Sequence, residues 1–121
     1  MMKVLIVDDE PLVRRSLGRA CKTAGHEVYE AGDGREGLEL WTKVSPDLVF
    51  LDVLMPGLTG PQVLEALPTE VRKATKIIMM SAFSGQHNMQ SALQMGADLF
   101  ISKPFEDIFT VVKMAEGLMN K

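Results

Sequence analysis

The chain has 121 residues, 46% of them hydrophobic and 24% charged, with a net charge of −3. That length suffices for one hydrophobic core, the composition is too apolar for disorder, and no basic excess would draw the domain to nucleic acid. A single cysteine, Cys21, excludes an internal disulfide, and the apolar run behind Lys3 is too short for a signal-peptide core or a membrane span. These features predict a cytoplasmic protein with one domain over residues 1–121.

Lys3 to Val7 reads as a strand buried on both faces, and it runs into Asp8-Asp9-Glu10. Pro11 suits a first helical turn, after which Val13, Leu17, Ala20, Cys21 and Ala24 recur at helical spacing until Gly25. Cys21 lies on that stripe and is expected to fill the core. Glu27 to Ala31 is a more polar strand suited to a sheet edge, preceded by His26 as a solvated turn residue. Asp33 and Glu36 form a capping-box signature for a helix through Leu38, Leu40 and Trp41 to about Lys43, which Ser45-Pro46 ends. Trp41 on that stripe reads as packing.

Leu48 to Leu51 is another doubly buried strand; it ends on Asp52 and is broken by Met55-Pro56-Gly57. Pro61 opens a short helix bearing Val63, Leu64 and Leu67, and the polar segment from Pro68 to Thr75 reads as a loop. Lys76 to Met80 forms a fourth strand ending on Ser81, and Ser84 is a good cap for a weakly striped helix from about Gly85 to Met95. Leu99 to Ile101 forms the fifth strand and leads into Ser102-Lys103-Pro104. A last helix, from Phe105 to about Asn120, places Ile108, Val111, Val112, Ala115 and Met119 on one face. Five strands alternating with five helical segments predict an α/β fold, a doubly wound parallel sheet with helices on both faces.

Ligands and chemistry collect at the carboxyl ends of the strands in such a sheet. Four strands end in groups able to do chemistry: Asp8 and Asp9, Asp52, Ser81, and Lys103. At about 5 Å and an effective dielectric of ~20, each carboxylate pair repels by about 3 kcal/mol. The cluster therefore suits a hard divalent cation, and Mg²⁺ takes one or two carboxylates together with waters and a phosphate. With Lys103 as a second positive charge, Asp52 can act as a nucleophile toward phosphorus, forming an acyl phosphate.

On Asp8-Asp9, Asp52 followed by Met55-Pro56-Gly57, Ser81-Ala82 and Lys103-Pro104-Phe105, the chain resembles the receiver domain of two-component response regulators over essentially its whole length. The resemblance implies a flavodoxin-like sheet in the strand order 2-1-3-4-5. It implies that Asp52 accepts a phosphoryl group from a phosphohistidine on a sensor histidine kinase or phosphotransfer protein. Mg²⁺ would be held by Asp9, Asp52 and the backbone carbonyl of Leu54, with Asp8 acting through water; Ser81 and Lys103 would bind phosphoryl oxygens. Phe100, three residues before the lysine, becomes the aromatic switch partner of Ser81. The surface from residue 85 to 114 would be the output face, toward an effector or a second copy of the chain. Leu54 and Phe83 are apolar where fast-hydrolysing members carry polar side chains that can orient or admit water, which implies slow dephosphorylation.

Two rivals are weaker. A Mg²⁺-dependent phosphatase with an aspartyl nucleophile would need a second aspartate two residues later, where Leu54 stands. A flavodoxin-like electron carrier would need amides and hydroxyls for the flavin phosphate where this chain has Asp8-Asp9-Glu10-Pro11. The expectation is a signalling domain, not an enzyme that turns over an external substrate.

Overall fold

The computed structural model describes residues 1–82 and 89–120, apart from the side chain of Met89. The strands are β1 (Lys3–Val7), β2 (Glu27–Ala31), β3 (Leu48–Asp52), β4 (Lys76–Ser81) and β5 (Leu99–Ser102). The helices among the described residues are α1 (Pro11–Thr23), α2 (Gly34–Val44), α3 (Gly60–Ala66), α4 (Thr69–Lys73), α5 (Met89–Gln94) and α6 (Ile108–Met119). The strands form one all-parallel sheet in the order β2-β1-β3-β4-β5. The fold is the doubly wound α/β sheet that the alternation predicts, in the flavodoxin-like strand order that the resemblance implies.

Strand alternation sends successive residues to opposite faces and so builds two cores. Leu5, Val7, Val49, Leu51, Ile77 and Met79 pack with Trp41 of α2, Val63 and Leu64 of α3 and Ala92 of α5. Val4, Ile6, Leu48, Phe50, Ile78 and Met80 pack with Leu17, Ala20 and Cys21 of α1 and with Val111, Val112 and Ala115 of α6. Every residue of β3 is buried, as a central parallel strand must be, whereas β2 at the edge is mostly half-buried. Cys21 is core filler; burial, then the charge of Glu116, pushes its thiol up to about 12.

Several local expectations need correction. The segment from Pro68 to Thr75 is not all loop: α4 occupies five of its residues, with Glu70 in the first turn and Arg72 and Lys73 in the last, where they complement the helix dipole. One turn is too short to display apolar periodicity, and this makes six helices among the described residues rather than five. The last helix begins at Ile108, not Phe105, because the Asp107 side chain caps it by accepting from the Phe109 amide. Asp33 caps α2 as expected, but Glu36 reaches the amide of Gly32, one residue earlier than a reciprocal box requires. The reciprocal box belongs instead to Thr59 and Gln62 at the start of α3.

His26 is not a solvated turn residue. Its Nδ1 accepts from the Met2 amide at 3.1 Å, which leaves the proton on Nε2 to donate to Glu116 at 2.6 Å. The turn before β2 is thereby fastened to α6. The expected cap Ser84 and the start of the helix at Gly85 lie outside the described residues. Among the described residues, no helix is long and apolar enough to cross a membrane.

Candidate functional site

The parallel register carries the chemical residues to one rim. Val7 is paired with Leu51, so the next residues, Asp8 and Asp52, stand side by side. Asp52 is paired with Met80, and Ser81 with Ser102, so Ser81 and then Lys103 complete the row. Backbone hydrogen bonds fix these positions at and beyond the strand ends: Asp8 N to Ala31 O at 3.1 Å, Val53 N to Met80 O at 2.9 Å, and Lys103 N to Ser81 O at 2.8 Å. The peptide bond between Lys103 and Pro104 is cis.

The loop after Asp52 is shaped by two glycines. Gly57 has φ of +78°, a conformation that side chains with a Cβ resist, and so turns the chain after Pro56. Gly60 donates to the Val53 carbonyl at 2.9 Å, and a Cβ on it would lie 2.6 Å from the carbonyl oxygen of Asp52. Only a residue without a side chain allows α3 to start this close to the acid.

Asp8, Asp52, Ser81 and Lys103 are all buried. The Lys103 ammonium lies 3.0 Å from Asp8 Oδ2, 2.7 Å from Glu10 Oε1 and 3.4 Å from Asp52 Oδ2. Burial works to depress the Lys103 pKa, but the hydrogen bonds from Glu10 and Asp8 and the charge of Asp52 outweigh it and hold the ammonium protonated. Asp52 is pushed up to about 7, first by burial and next by the charge of Asp8; Lys103 opposes the rise and Asp9 adds to it.

Carboxylate oxygens of Asp8, Glu10 and Asp52 lie within 4.8 Å of one another, a donor set of the hardness and spacing that suit a divalent cation. Asp9, the expected ligand, is half-buried and lines the same cleft, which has a volume of about 280 Å³ and is also lined by Glu10, Asp52, Leu54, Ser81, Ala82 and Lys103. A larger cleft of about 400 Å³ lies at the other rim beside Lys76 and Asp98, so converging charge rather than size marks the site. Leu54 is 56% exposed at the mouth. Phe83 lies outside the described residues.

Phe100 is paired with Met79 and packs into the α2–α3–α5 core, on the sheet face toward which alternation also turns Ser81. Two contributors escaped the sequence reading. In the sequence Glu10 is only the tail of an acidic run, and Arg14, which donates to the Asp8 carbonyl at 2.8 Å and pairs with Glu30 at 3.4 Å, belongs to no motif. Glu10 meets Lys103 across 93 positions of sequence, so no local spacing signals its role.

The profile of the response regulator receiver domain matches residues 4–114. The chain belongs to that family. Relatives of this receiver domain include the transcriptional activator protein PfeR of Pseudomonas aeruginosa, 38% identical over 103 residues, and a probable transcriptional regulator, ycf27, of Porphyridium aerugineum, 39% identical over 103 residues. Each match covers 85% of this chain but only 33% and 42% of those relatives, respectively, so the receiver spans less than half their length. Among solved structures, the chemotaxis response regulator CheY4 of Vibrio cholerae superposes with a TM-score of 0.87 at 33% identity, over 98% of both chains. The receiver domain of Francisella response regulator 1452 gives 0.87 at 27% identity, over 99% of this chain and 98% of that one.

Proposed function

We propose that this receiver takes a phosphoryl group onto Asp52 from a phosphohistidine of a sensor histidine kinase or phosphotransfer protein. In the transfer, a carboxylate oxygen of Asp52 forms the new O–P bond while the N–P bond of the phosphohistidine breaks and its electron pair returns to the imidazole. The observation that carries this reading is the ammonium of Lys103, buried 3.4 Å from Asp52, where it can take up charge on the phosphoryl oxygens. Ser81, at the end of the adjacent strand, would bind another of those oxygens. The acidic rim suits Mg²⁺, which Asp52 together with Asp9 and the Leu54 carbonyl, both lining the same cleft, would hold, with Asp8 through water, and which would supply further neutralisation of phosphoryl charge.

Ser81 and Phe100 share a sheet face on neighbouring strands, so a hydroxyl drawn toward the phosphate would leave space for the ring to follow. That movement would reshape the surface around α5, β5 and α6, where an effector or a second copy would bind. The test is incubation with phosphoramidate and Mg²⁺. Intact mass should show one added phosphate, peptide mapping should place it on Asp52, and Asp52→Asn should take up none. Equal labelling of the Asn variant would remove Asp52 from its role.

A further inference from the structure

Glu10 has no part in the transfer just described, yet it makes the shortest contact to Lys103, 2.7 Å against 3.0 Å for Asp8 and 3.4 Å for Asp52. Of the three protons an ammonium carries, two are hydrogen-bonded, to Glu10 and Asp8, while Asp52 stands opposite as an ion pair. For the ammonium to move toward a phosphoryl group on Asp52, Glu10 or Asp8 must let go. Asp8 is fully buried, and its other oxygen accepts from the Glu10 amide at 2.9 Å, so it is fixed. The Glu10 side chain is 55% exposed while the lysine is 5% exposed, so water can replace the lysine at Glu10 and nowhere else so readily.

We infer that Glu10 is a positioning residue acting through Lys103: its carboxylate holds the resting ammonium at the solvent rim of the cleft and releases it to the incoming phosphoryl group. The inference rests on the phosphoacceptor reading of Asp52. It assigns Glu10 the task of setting how readily the site loads, and it assigns it none in binding phosphate.

The test compares the full chain with Glu10→Gln and Glu10→Asp, using phosphoramidate at saturating Mg²⁺. The Gln variant removes the charge; the Asp variant keeps the charge and shortens the reach by one methylene. Both should load about 2- to 5-fold faster than wild type, the size expected for releasing one half-exposed ion pair. In Mg²⁺-free protein, the NMR signal of the Lys103 ammonium should shift in both variants. Thermal unfolding checks that both are folded.

Equal loading rates in all three proteins would overturn the inference. A fast Gln variant beside an Asp variant that behaves like wild type would show that charge, not contact, matters, and would also overturn it. Slower loading of the Gln variant would make Glu10 a participant rather than a holder, with the same consequence. If wild type takes up no phosphate, the reading of Asp52 falls, and the Lys103 signal alone decides whether Glu10 holds the ammonium.

Discussion

Asp52 sits where its own negative charge is disfavoured, by burial and by Asp8, which lifts it from 3.8 to about 7. Between these values the folded protein keeps a proton that the unfolded chain has lost, so stability falls as pH rises through that window. Above about pH 7 the whole penalty is present. Asp52→Asn has no such titration, so its stability should vary less between pH 5 and pH 8. At pH 8 it should exceed wild type by about 2–4 kcal/mol. Urea unfolding of both proteins at the two pH values checks this; parallel pH dependence would mean that the carboxylates are not clustered in solution. Millimolar Mg²⁺ should narrow the gap by stabilising wild type more than the variant.

Between elements, one buried hydroxyl ties the helix layer to the sheet. Trp41 Nε1 of α2 donates to Thr75 Oγ1 at 3.1 Å, and that hydroxyl donates to the Pro46 carbonyl at 3.1 Å, just before β3. Thr75 stands between α4 and β4, so the short helix does not merely bridge strands; it delivers this hydroxyl to the base of the sheet. Thr75→Val conserves shape but strands the indole N–H and the carbonyl in the core, which should destabilise by about 1–3 kcal/mol. The single tryptophan supplies the readout, since its emission should also shift when the partner is lost. A change below about 0.5 kcal/mol, the size of an ordinary surface substitution, would show that water replaces the hydroxyl.

For the molecule as a whole, β4 and β5 join the site to the proposed output face, since Ser81 ends β4 and Lys103 follows β5, itself part of that face. Phosphorylation should change amide exchange in α5, β5 and the first turn of α6, with little change in α1 or β2. Changes confined to the loops around Asp52 would reject that face. The Leu54 side chain at the mouth of the cleft offers no hydrogen bond to an attacking water, so the phosphate should persist for about minutes to hours rather than seconds. Leu54→Asn together with Phe83→Glu should shorten its lifetime, followed by intact mass; an unchanged half-life of seconds in both proteins would reject water screening.

The number and kind of the strands, the apolar stripes of α1 and α6, and the polar groups at four strand ends were legible in the chain because each rests on local periodicity or on a turn that follows it, whereas the strand order came from the family resemblance. The row Asp8, Asp52, Ser81, Lys103 needed only the added assumption of a parallel sheet. What one residue does once in that row was not legible. Glu10 continues an acidic run, yet its distance to Lys103 spans 93 positions of sequence and is set by strand register. His26 looked solvated because its partners, Met2 and Glu116, are distant in sequence, and α4 looked like loop because one turn has no period. Local pattern determined the elements and the family's chemistry; only packing of remote segments decided which charges meet, since contact across a sheet is governed by register and not by neighbours in the chain.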